Sequence, residues 1–244
     1  MNAREKYFEN LISLLNQVQE QESDKLEQAA QKIADCVLNG GMLYTFGTGH
    51  GHLLALEIFY RAGGMVRVAP ILDEKLMLHL SASESSEWER ENGLADSLLE
   101  RYPVKAGDVL IAISNSGRNA VPVELAAKCR ERGAYVIALT SLKHTSAVTP
   151  RNALGKRLFE EADLVLDNCG ILGDASVEGT GGRMVGATST AVGSAILQSV
   201  MVRVEEIARE RGEDIEFFAS ANIDGGDAIN GRYLEKYRGK ILSL

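Results

Sequence analysis

Apolar positions follow two rhythms along this chain. Residues 4 to 20 place Tyr7, Phe8, Leu11, Ile12, Leu14, Leu15 and Val18 three and four apart, and residues 25 to 38 repeat the pattern with Leu26, Ala29, Ala30, Ile33, Ala34 and Val37. The spacing predicts two amphipathic helices. They break near Ser23-Asp24, where either side chain can cap the second helix, and Asn39-Gly40-Gly41 ends it. Beyond that point the apolar residues fall in short solid runs at 42–46, 65–69, 109–113, 135–139 and 164–166. Such runs read as strands buried on both faces, as in a parallel sheet.

Helical stretches separate the strands. One runs from about 53 to 62 and is closed by Gly63-Gly64; a polar, mostly helical crossover spans 73–105 with Leu76, Met77, Leu80, Leu94, Leu98 and Leu99. Another follows Asn119 to about residue 132, with Pro122 tolerated in its first turn. A helix-like patch covers 156–161, and a long helix is expected over roughly 185–211. The first half of that helix is Gly, Ala, Ser and Thr, which places it centrally or at a subunit contact. The tail from 212 carries Phe217, Phe218 and a polar segment at 222–227. Alternation of strand and helix predicts an α/β protein with a parallel sheet and helices on both faces. One domain is expected over 1–244: N-terminal helices (1–40), a core (41–211) and a C-terminal extension (212–244). Right-handed crossovers then bring the loops at 47–52, 114–119 and 140–141 to one sheet edge.

Composition narrows the class of ligand. The formal charge is −8, which repels nucleic-acid backbones and anionic membranes, so neither is expected as a partner. No apolar run approaches a membrane span, the start is polar, and the three cysteines have no paired spacing. A soluble cytoplasmic protein is expected.

The candidate chemistry sits in the converging loops. Gly47-Thr48-Gly49-His50-Gly51-His52 lets a ligand approach the backbone, but it is not a dinucleotide fingerprint, and no P-loop Gly-Lys-Ser/Thr occurs. Ser114-Asn115-Ser116-Gly117-Arg118-Asn119 offers hydroxyls, amides and a helix start, a cradle suited to one phosphomonoester. Thr140-Ser141 ends the next strand. The bland alternative is that these are ordinary turns with capping hydroxyls.

These residues resemble the sugar isomerase (SIS) domain superfamily. The likeness rests on GTGHGH, ISNSGRN, ALTS at 138–141 and ADLVLDN at 162–168. SGRNAVPVELA, GDASVEG and SANIDGGD are most similar to the phosphosugar-binding SIS proteins, with phosphoheptose isomerases more distant. The resemblance implies a flavodoxin-like three-layer α-β-α fold with about five strands, a sugar phosphate as ligand, and a homodimer or tetramer. It assigns Gly47, Thr48, Gly49, Ser114, Asn115, Ser116, Asn119, Thr140 and Ser141 to substrate binding. Two positions depart from it: Gly51 stands where many relatives carry serine, and Asn119 where they often carry threonine.

Aldose-ketose isomerisation needs a base beside a carbonyl. Isomerase and etherase relatives carry a glutamate where this chain has Tyr60-Arg61, which leaves Glu57, one turn earlier, as a candidate. Its alternative is an i,i+4 pair with Arg61. His50 and His52, at a helix start, are candidate bases or acceptors. No third ligand accompanies that H-x-H pair, so no metal and no cofactor is assigned. Glu178, Glu89 and Glu91 read as solvated carboxylates, His79 as packed, and Cys129 and Cys169 as core. The leading expectation is a phosphosugar isomerase acting by proton transfer. The rival is a non-catalytic sugar-phosphate sensor; a nucleotide-binding oxidoreductase fits poorly.

Overall fold

A computed structural model describes residues 2–244. Helices α1 (Ala3–Gln21) and α2 (Ser23–Leu38) lead into β1 (Leu43–Gly47), α3 (Gly51–Glu57) and β2 (Val68–Pro70). The crossover holds a 3-10 turn at Glu74–Leu76, α4 (Ala82–Trp88) and α5 (Leu94–Arg101). Then come β3 (Val109–Ile113), α6 (Ala120–Glu131), β4 (Tyr135–Thr140), α7 (Leu142–Ser146) and β5 (Leu164–Asp167). A hairpin of β6 (Ala175–Glu178) and β7 (Met184–Ala187) precedes the long α8 (Ser189–Glu210), and α9 (Gly226–Tyr237) closes the chain.

The five-stranded sheet is parallel throughout, in the order β2-β1-β3-β4-β5. This is the flavodoxin-like order, whose ligand crevice lies outside the carboxyl ends of β1 and β3, where the winding reverses. Strand β3 shows how sequence makes the layers. Val109, Ile111 and Ile113 point into a core with Ile33, Leu54, Leu197 and Val204, while Leu110 and Ala112 point into a second core with Leu98, Leu125 and Tyr237. Each large buried side chain contributes about 1.5–3 kcal/mol, so a strand apolar on both faces is stable only between two helical layers.

Several boundaries differ from the sequence expectation, each for a local reason. The first two helices break at Glu22, and neither Ser23 nor Asp24 caps the second. The buried Glu22 carboxylate instead accepts from Lys25 Nζ and from the Asp167 N–H. Helix α3 stops at Glu57, short of 62, and Tyr60 takes a positive φ of 42°. The second strand begins later than expected, at Val68, because Met65 pairs antiparallel with Phe217 from the tail. Residues 184–187 are not helical. They form β7, whose exposed strand pairs antiparallel with β6 and is held on α1 through Tyr7 Oη to Ala187 O at 2.9 Å. The small residues of α8 do serve close packing: a Cβ on Gly193 would meet Leu54 Cδ1 at 2.6 Å.

Candidate functional site

The chain leaves β1 through a turn that closes on itself. A Cβ on Gly47 would lie 2.3 Å from the Gly51 carbonyl carbon, and Gly49 has a φ of 53°, so both need glycine. His52 is buried and places Nδ1 2.5 Å from Gly49 O, locking the turn. The turn leaves Thr48, Gly49, His50 and Gly51 facing a cavity of about 400 Å³.

The exit from β3 forms the opposite wall. Ser114 Oγ accepts from the Gly117 N–H at 3.1 Å, and Gly117 turns with a φ of 55°. Asn115 is braced from the neighbouring strands: its carbonyl accepts from Thr140 Oγ1 and the Ser141 N–H, and its Oδ1 accepts from Asn168 Nδ2 at 2.8 Å. Ser114, Asn115 and Ser116 thereby line the cavity, over a floor of Leu54, Ile113 and Leu139. Thr140 and Ser141 do not. Both are fully buried, and Ser141 Oγ donates to Gly170 O at 2.6 Å, so these two hydroxyls shape the loop from behind.

Two carboxylates reach the cavity, and neither was among the predicted bases. Glu89 enters from the residue after α4. Its Oε2 accepts from Thr48 Oγ1 at 2.6 Å, its Oε1 from Asn119 Nδ2 at 2.5 Å, and its backbone carbonyl from the Val121 N–H at 3.1 Å. It therefore bridges the two ligand loops at the N-terminus of α6, and Asn119 holds this carboxylate rather than lining the cavity. The sequence marks Glu89 as a solvated charge, but its side chain is half-buried against the loops. Asp174 sits at the other end, with a φ of 67°, and receives the N–H groups of Thr188 and Ser189 and the Ser189 hydroxyl. No lysine or arginine lines the cavity.

The predicted bases separate. His50 lines the cavity; His52 and Glu57 do not. Glu57 pairs with Arg61 one turn away and accepts from Gln198 Nε2 at 3.0 Å, which keeps it on the outer surface between α3 and α8. Among the described residues no three His, Cys, Asp or Glu side chains gather as metal ligands. His79, expected to be packed, is exposed, and Glu178 stands exposed on β6. Burial pushes the Cys36 and Cys129 thiols up to about 12, which leaves them protonated core residues.

His144, which the sequence reading passed over, lies on the cavity wall. Its Nδ1 is buried without a partner, and burial lowers its pKa below the ordinary imidazole value, Asp174 opposing and Arg118 assisting. The available signal is its position, four residues past the end of β4, whose neighbours form the site.

An apolar groove of about 480 Å³ between α1, α2 and α8 is larger, but Leu15, Val18, Leu26, Ile196 and Val200 give it no reactive group beyond the Glu27–Arg203 pair. The cavity at the strand ends is different in kind: neutral donors and the N-terminus of α8 face a space sized for a small polar ligand.

The sequence pattern of the SIS domain matches residues 6–141, more than half of the chain. The chain belongs to the SIS domain family. A UPF0309 protein of Halalkalibacterium halodurans is 43% identical over 96% of this chain and 94% of its own, and one of Geobacillus thermodenitrificans is 42% identical over 97% and 96%. Among solved structures, a phosphoheptose isomerase from Francisella tularensis shares the fold with a TM-score of 0.57, at 16% identity over 84% of this chain and all of that one. The NanR protein of Vibrio vulnificus, solved with ManNAc-6P, has a TM-score of 0.51, at 15% identity over 99% of this chain and 70% of that one. At these identities the structural likeness of this SIS domain to both concerns the fold. No helix among the described residues is long and apolar enough to cross a membrane.

Proposed function

We propose that this SIS domain binds a sugar phosphate in the cavity between Thr48 and Ser116 and isomerises it by proton transfer, with Glu89 as the base. The observation that carries the reading is the bridging of both ligand loops by the Glu89 carboxylate. Two neutral donors fix its orientation without supplying a counter-charge, and a general base must be held in this way, within reach of the proton it removes. The phosphate is placed at Ser114, Ser116 and the loop amides, where neutral donors and helix dipoles favour one phosphomonoester. Solved relatives of the same fold include a phosphoheptose isomerase and a protein complexed with ManNAc-6P, which accords with this ligand class.

A non-catalytic sensor is the second reading, favoured by Tyr60-Arg61 at the place where the resemblance led us to expect a glutamate. A thermal-shift panel of sugar phosphates, their parent sugars and nucleotides tests binding. A ligand at about 100 times its dissociation constant stabilises by roughly 2.7 kcal/mol, and only sugar phosphates should do so. Exchange of solvent deuterium into the carbon beside the sugar carbonyl then separates enzyme from sensor.

As a single cytoplasmic domain the chain would also self-associate. Phe8 and Ile12 on α1 and Met184 and Val185 on β7 are large, apolar and about half exposed. A stable dimer would cover them; sedimentation showing only monomer at micromolar concentration would remove this part of the proposal.

A further inference from the structure

Five buried polar side-chain atoms lack a hydrogen-bond partner among the described residues, and all lie on two touching segments: Arg118 Nε, Asn119 Oδ1, His144 Nδ1, Thr145 Oγ1 and Asn152 Oδ1. The segments are joined where the Arg118 carbonyl accepts from the Arg151 N–H at 2.7 Å and from Asn152 Nδ2 at 3.0 Å. Buried polar groups in folded proteins are almost all paired, so an orphan calls for an explanation. Of the five residues, only His144 also lines the cavity. Its backbone N–H is tied to Ser141 Oγ at 3.1 Å, so the ring is anchored at the end of β4 and enters the cavity from that side. Glu89 enters between the loops that follow β1 and β3. Strand β4 is the next neighbour of β3, so the carboxylate and the imidazole flank the Ser114–Gly117 loop from its two sides.

We propose that His144 is the second proton-transfer group of this site, meeting the oxygens of the sugar while Glu89 meets its carbon. The inference rests on the isomerase reading above. Nδ1 is sealed from the cavity, so the ring meets the sugar through Nε2, a nitrogen that can donate or accept a proton and can serve the adjacent carbonyl and hydroxyl oxygens of an aldose or ketose in turn. Glu89 takes the proton from the carbon beside the carbonyl. The C–H electron pair becomes the C=C bond, and the carbonyl π pair moves onto oxygen, giving an enediolate stabilised by the His144 N–H. Nε2 gives its proton to the first oxyanion and takes the proton of the neighbouring hydroxyl, so the ring ends in the tautomer in which it began. The second oxyanion collapses to a carbonyl, and the former carbonyl carbon draws its proton back from Glu89. Nothing is oxidised or reduced overall, and no co-reactant is needed.

Without the relay, Glu89 can still remove and return a proton at one carbon, so exchange and interconversion should part. The test uses the full chain as wild type, His144→Gln, His144→Asn and Glu89→Gln. The substrate is whichever of fructose 6-phosphate, arabinose 5-phosphate and ribose 5-phosphate the wild type binds tightest by calorimetry. Deuterium incorporation and net interconversion are followed together. In both His144 variants the ratio of incorporation to interconversion should rise at least tenfold with affinity within about threefold of wild type, and Glu89→Gln should lose both activities. Binding by a variant shows that its fold is intact, and the second variant covers failure of the first. An unchanged ratio in a variant that binds would overturn the relay and leave the isomerase reading standing. Wild type that binds none of the three, or binds without incorporating deuterium, would overturn that reading and the relay with it.

Discussion

The entrances to α6 and α8 face the same cavity, and each is held by a carboxylate, but the two are held differently. At α8, Asp174 accepts two backbone N–H groups and two hydroxyls, all from Thr188 and Ser189, and closes a turn fourteen residues long whose strands are β6 and β7. Its groups are spent on the fold. At α6, Glu89 arrives from thirty residues away and accepts from Thr48 and Asn119, side chains that resemblance to the family assigned to the ligand. Its groups are spent on the site. Both carboxylates complement a helix dipole, so that interaction alone does not distinguish a structural group from a functional one. The identity of the donors does.

The difference can be sharpened by neutralising each carboxylate in turn. Glu89→Gln keeps an acceptor oxygen for Thr48 and should alter stability by less than about 1 kcal/mol. Loss of a general base should lower proton exchange by roughly two to four orders of magnitude, measurable by deuterium incorporation. Asp174→Ala should do the reverse. Loss of the cap and of charge-assisted hydrogen bonds, together with an alanine forced to positive φ, should cost about 3 kcal/mol, read by chemical denaturation; normal stability in that variant would erase the contrast.

A third carboxylate supplies the control. Glu57 was the most plausible base by sequence distance, yet its surface pair with Arg61 should make Glu57→Gln worth under about 0.5 kcal/mol and leave exchange untouched. The smallest effect is expected from pH. The unfolded chain protonates a histidine near its ordinary pKa of 6.5, whereas folded His144 resists protonation to lower pH because burial outweighs Asp174. Stability should therefore fall slightly as pH drops through 6.5 toward the lower folded value and level off below it. In His144→Gln that component should be gone.

What was legible in the chain follows the range of the forces involved. Strands β1, β3, β4 and β5 and the glycine and serine loops show as solid apolar runs ending in turn residues, because a parallel strand must be apolar on both faces. The N-terminal helices show because α1 and α2 each bury one stripe. Glu89 and His144 were illegible because nothing local marks them: one follows a seven-residue helix in a polar crossover, the other sits in a five-residue helix, and only the strand order brings them together. The β6–β7 hairpin was hidden by its composition. Its glycines and small residues run without a break into α8, and the Asp174 cap that separates strand from helix is a contact across the hairpin rather than between neighbours.

The central claim is that the Ser114–Gly117 loop holds the phosphate of a sugar phosphate. Calorimetric titration of wild type and of the Ser114→Ala/Ser116→Ala double variant, with a sugar phosphate and its parent sugar, tests this most directly. Each hydroxyl bond to a charged group is worth about 1.5–3 kcal/mol, so the pair should cost at least a hundredfold in affinity. The account predicts that loss for the sugar phosphate and no binding of the parent sugar by either protein. Equal affinity of both proteins for the sugar phosphate would contradict it.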